Sequence, residues 1–95
     1  MKVMSYTVTD LGHSIWVVVE IVHHQWVHSF DAVYAVEPST SKLAAIAQAK
    51  AAFRNDQSRR VANAFGVEVG AIERLLDEHI LSYRPFLKAP NSLPR

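Results

Sequence analysis

Apolar and polar positions alternate from the start of the chain. In VMSYTVTD, residues 3 to 10, Met4, Tyr6 and Val8 fall on one face of an extended segment, as expected of a half-buried strand. DLGH follows, with Gly12 supplying turn chemistry. From Ser14 to Val36 the chain is dense in β-branched and aromatic residues, too long for one strand and without helical polar spacing. A turn near HHQ, residues 23 to 25, divides it into two strands, although no glycine, proline or asparagine marks the place. The expected sheet is a three-stranded antiparallel meander.

Helical periodicity takes over after EPSTSK. Pro38 interrupts strand pairing, and Ser39, Thr40 or Ser41 can cap a helix by accepting from its first free N–H groups. Leu43, Ile46 and Phe53 form one stripe, with alanines between them that favour helix and allow close packing. Asn55 and Asp56 either continue this helix or begin another, and Gly66 ends it. In the last helix Ile72, Leu75, Leu76, His79, Ile80 and Tyr83 keep i, i+3, i+4 spacing, with His79 expected as a hydrogen-bonded core residue and Pro85 as the stop. The expected fold is α+β. A small antiparallel sheet over about residues 2–36 precedes two or three helices over about residues 40–83, in one domain of residues 1–88 with a flexible tail at 89–95.

The two strands within Ser14–Val36 are apolar on both faces. Ile15, Val17, Val19 and Ile21 share one face; Trp16, Val18 and Val22, broken by Glu20, share the other. Next along the chain, Trp26, Phe30, Tyr34 and Val36 face away from Val27, Val33 and Ala35. Two or three short helices shield one side of such a sheet, and an uncovered apolar side marks an interaction surface. The expected contact residues are Ile15, Trp16, Val17, Val19, Ile21, Trp26, Phe30 and Tyr34. The expected partner is another protein or a second copy forming a homodimer. The competing expectation is that the helices straddle the sheet and cover both sides.

Residues 59 to 79, RRVANAFGVEVGAIERLLDEH, carry a second pattern. Ala62 sits where two helices would meet, Gly66 where the chain would turn, and Ile72 and Leu75 where a second helix would seat, with Val61, Phe65 and Val67 as further core positions. The segment, about residues 58–79, resembles a helix-turn-helix. That resemblance implies a DNA-binding regulator whose contacts come from Lys50, Arg54, Arg59, Arg60, Glu68 and Arg74. The surface it would offer the major groove, Glu68, Val69, Gly70, Glu73, Arg74 and Asp77, sets one arginine against three carboxylates, which suits a phosphate lattice poorly. The alternative is a helical corner that only covers the sheet.

Charge sharpens the contrast between the halves. The net charge is +1, yet residues 1–41 hold one base against four acids and residues 42–95 nine bases against five acids. The basic half holds the helix-turn-helix-like segment, which leans toward an anionic partner. Apolar residues make up 49% of the chain and charged ones 20%, ordinary for a globular protein. Cysteine is absent, excluding disulfides and thiolate chemistry and fitting a reducing, cytoplasmic setting. The longest apolar run, IWVVVEIV, is interrupted by Glu20 and falls short of the roughly 20 residues of a membrane helix, and no signal peptide is expected.

Catalysis and metal binding find little support in the sequence. His23, His24 and His28 cluster, but on a continuous strand His24 and His28 would stand about 13 Å apart, too far to share an ion unless the chain turns. His13–Ser14 and His28–Ser29 are chain neighbours that point to opposite faces of a strand. No glycine-rich phosphate loop is present. The expectation is a non-enzymatic regulatory or inhibitory protein with no cofactor, metal, membrane or small-molecule substrate, acting through protein contacts. The alternative is a DNA-binding transcriptional regulator.

Overall fold

A computed structural model describes residues 1–37 and 40–84. Three long strands, β1 (Lys2–Asp10), β2 (Ser14–His23) and β3 (Trp26–Ala35), form the expected antiparallel meander. Helices α1 (Lys42–Phe65) and α2 (Val69–Glu78) follow, and a short β4 (Ser82–Arg84) pairs parallel with β1. The sheet order is β3-β2-β1-β4, so the fold is α+β with a mixed sheet.

Two turns set the register. At the first, the Gly12 N–H donates to Asp10 Oδ1 at 2.8 Å, the Leu11 N–H donates to the Ser14 carbonyl at 2.9 Å, and Gly12 takes φ +95°. At the second, His24 and Gln25 alone separate His23 from Trp26, with φ +53° and +72°. Positive φ at both central residues is the type I′ condition that matches strand twist. The turn predicted near HHQ is therefore present, formed by two residues that adopt this backbone reluctantly.

A bulge between Val3 and Ser5 shifts the phase of β1. Val3 thus points inward and Met4, predicted to share a face with Tyr6, is left 54% exposed. Beyond the bulge Tyr6 and Val8 join Ile15, Val17, Val19, Ile21 and Phe30 in a core closed by both helices. Ala45 and Ala49 let α1 lie close on the sheet, while Phe53, Val61 and Ala62 fill its buried stripe. Leu43, predicted on that stripe, is 82% exposed, because the inward line of α1 runs through Ala45, Ala49 and Phe53.

Helix α1 is one unbroken element, capped by the Ser41 hydroxyl, which accepts from the Ala44 N–H at 3.2 Å. It ends at Gly66 in the left-handed conformation, φ +68°, as the sequence predicts. The second helix is shorter than expected. It stops at Glu78, and the chain leaves in extended form to pair with Thr7–Thr9 of β1. Unpaired backbone groups on β1 draw in the SYR segment, so Ile80 is 86% exposed and His79 is a half-buried helix end rather than a core residue. The readings of Pro38, Ser39, Pro85 and the 89–95 tail lie outside the described residues. Among the described residues no helix is long and apolar enough to cross a membrane.

Candidate functional site

Both helices pack on one side of the sheet, and among the described residues nothing covers the other side. Strand alternation accounts for the division. Val17 and Val19 are fully buried beneath the helices, whereas Val18 between them faces outward with Trp16, Glu20 and Val22. Trp16 is 39% exposed, Val27 58% and Val33 56%, and the displaced Met4 adds to this face. A shallow depression of about 270 Å³ runs across it between Thr7, Trp16, Val18 and Arg84.

Polar contacts hold the outer face in shape. The Trp16 indole N–H donates to Asp31 Oδ2 at 2.8 Å across the β2–β3 pair, fixing the ring. The Ser5 hydroxyl donates to Glu20 Oε1 at 2.8 Å across β1–β2. The surface is therefore a preordered mixture of aromatic, valine and carboxylate groups.

Of the eight residues predicted at the contact, seven stand on the helix side of the sheet and Trp16 alone on the other. Ile15, Val17, Val19, Ile21 and Phe30 lie in the core under the helices and present no surface to a partner. The expectation that these five face a partner is overturned, because the helices cover the phase of β2 and β3 on which they lie. Tyr34 is half-buried, its hydroxyl donating to Asp56 Oδ2 of α1 at 3.2 Å. Trp16 is exposed on the outer face, and Trp26 is exposed but stands on the helix side with Tyr34. The outward set that the prediction omitted, Val18, Val27 and Val33, was visible as the opposite phase of the same alternation. What the sequence lacked was a sign of which phase the helices would take.

The helical corner arranges its charges internally. Arg54 on α1 donates from Nε to Asp77 Oδ1 at 2.8 Å and from Nη2 to Asp77 Oδ2 at 2.9 Å, with Glu73 Oε2 at 3.5 Å from Nη1. That fork clamps α2 to α1, raises the Arg54 pKa through the Asp77 hydrogen bond, and lowers that of Asp77 through the same contact. Of the residues predicted to touch DNA, Arg54 is thus engaged with carboxylates, while Arg59, Arg60, Glu68 and Arg74 are exposed and Lys50 half-buried. At the corner between the helices Ala62 and Ile72 are buried, Leu75 and Phe65 pack on the core, and Gly66 makes the turn.

The hairpin brings together the histidines that a continuous strand would have separated. The His23 ring lies 4.0 Å from that of His24, 6.4 Å from His28 and 4.6 Å from Phe65. Desolvation first, and the neighbouring His24 second, hold His23 below the ordinary imidazole value. Among the described residues no group of three or more histidines or carboxylates is placed to hold a metal ion.

Asp10 is the buried acid. Its Oδ2 accepts from Lys42 Nζ at the start of α1 and from the Tyr83 hydroxyl of β4 at 3.3 Å, tying three elements at one end of the sheet. The Lys42 hydrogen bond foremost, then the Gly12 N–H, holds its carboxyl below the usual carboxylate range. With every oxygen partnered, the cluster reads as a structural tie. No protein-family model, curated protein or solved structure matches the chain.

Proposed function

We propose that this is a small non-enzymatic regulatory or inhibitory protein that works through protein–protein contacts, with the outer face of the sheet as its contact surface. One observation carries the reading: a whole sheet face, bearing Met4, Trp16, Val27 and Val33, has no helix over it among the described residues. Burying each such side chain on a partner is worth about 1.5–3 kcal/mol, a strong drive toward association. The Trp16–Asp31 bond keeps the large ring in place, which reduces the ordering cost of binding.

The test is a Val18→Lys variant, which puts a charge at the centre of that face without touching the core. Wild-type protein is expected to bind an apolar-surface dye and to retain host proteins that the variant loses. Equal dye binding and an equal captured set would retire the reading. A second reading, a helix-turn-helix DNA-binding transcriptional regulator, draws on the Gly66 turn and on exposed Arg59 and Arg60. It predicts duplex affinity that falls steeply with salt and drops on Arg59→Ala, Arg60→Ala or Arg74→Ala. Indifference to all three removes it.

A further inference from the structure

We propose that the outer edge of β3, unpaired among the described residues, is a homodimer interface, where a second copy adds its own β3 antiparallel and joins the two four-stranded sheets into one. This names a partner for one border of the surface above and so rests on that reading.

β3 is the outermost strand, ten residues long. Its hydrogen-bonding directions follow from the hairpin. With only His24 and Gln25 in the turn, His23 and Trp26 form a hydrogen-bonded pair, and such pairs recur at every second position. Trp26, His28, Phe30, Ala32 and Tyr34 therefore direct their backbone groups at β2. The Val36 N–H, donating to the His13 carbonyl at 3.1 Å, keeps the same parity. Val27, Ser29, Asp31, Val33 and Ala35 point both N–H and C=O away from the sheet, and their side chains all lie on the outer face. Of the usual guards of an edge, β3 contains no proline, no lysine and no bulge, and its one acidic or basic side chain is Asp31.

Charge then selects the register. A two-fold antiparallel pair must set outward-pointing residues opposite one another, and two centred registers do so. In one, Asp31 faces the partner's Asp31 at about 5.5 Å, an unfavourable opposition of carboxylates. In the other, Asp31 faces the partner's Ser29, whose hydroxyl can donate to it. That second register also sets Val27 against the partner's Val33, covering side chains that are 58% and 56% exposed. On the helix side it sets Trp26, 70% exposed, opposite the partner's Tyr34. Four outward pairs would form about eight backbone hydrogen bonds.

Light scattering tests the pairing. Wild-type protein is expected at twice the 10.7 kDa chain mass. Ser29→Pro removes one outward N–H and no bond to β2, and it should yield a folded monomer; Val33→Pro does the same at another outward position. Val18→Lys, on β2 and away from the edge, should remain a dimer. The chain has no cysteine, so register can be read by oxidation. Val27→Cys mixed with Val33→Cys should give a disulfide-linked heterodimer, and each alone should not, since paired Cα atoms near 5.5 Å suit a disulfide. A wild type that stays monomeric up to about 1 mM overturns the proposal while leaving the outer-face reading intact. Folded Ser29→Pro and Val33→Pro dimers overturn it too, as does a disulfide formed by Asp31→Cys alone.

Discussion

Replacing Gln25 with glycine should make the protein more stable, and the size of the gain can be worked from the hairpin. Gln25 holds φ at +72° and its side chain is exposed, so the substitution forfeits no packing. A left-handed backbone costs an L-residue roughly 1–2 kcal/mol, which glycine avoids. Glycine gives back roughly 0.5–1 kcal/mol through its greater freedom in the unfolded chain. The middle of each range leaves a net gain of about 0.75 kcal/mol, and a domain of this length should show a Tm higher by roughly 3–6 °C. Calorimetry on wild type, Gln25→Gly and Gln25→Ala separates the causes. Alanine removes the same side chain but keeps the Cβ that creates the strain, so it should gain nothing. Identical melting of all three, or a glycine variant that melts lowest, would refute a strained type I′ turn at His24–Gln25.

Two further predictions concern charge. Because Asp10 has a folded-state pKa below its unfolded one, the stability it contributes is present above about pH 3.9 and is lost as pH falls through the folded value. Asp10→Asn should therefore flatten the acid limb of a urea-midpoint series, and an unchanged limb would count against the Lys42 tie. Asp77→Asn should release Arg54 and speed hydrogen exchange in α2, with a difference that shrinks as salt rises, because the pair is partly exposed. Salt-independent exchange would mean the clamp holds α2 by shape alone.

Much of this fold can be read from local pattern. Alternation through Ser14–Val22 gives a strand apolar on both faces, and Gly66, Ile72 and Leu76 give the corner between the helices. Other features depend on long-range competition. The single-residue bulge that turns Met4 outward has no signature in VMSYTVTD, and the choice between Val17 and Val18 as the buried phase waits on where α1 lands. Residues 79–83 satisfy helical spacing, yet the open side of β1 attracts Ser82–Arg84 instead. The candidate surface is legible as an excess of apolar strand area, but seven of its eight named residues, all except Trp16, stand on the helix-covered face. Arg54 looked available for phosphate because its partners Glu73 and Asp77 lie 19 and 23 residues away in sequence.

The two borders of the sheet are unequal. On the β1 side the described strand β4 spans only Ser82–Arg84, and the stretch it leaves uncovered is kinked at Val3–Ser5, which is poor ground for another strand. The β3 side, among the described residues, is long, straight in register and free of proline, lysine and bulge. Under the pairing proposed above, a sheet that accepts a strand at one end and not at the other would be lengthened only once. Its growth would then close at a pair, which would keep a valine-rich chain from running on into fibrils.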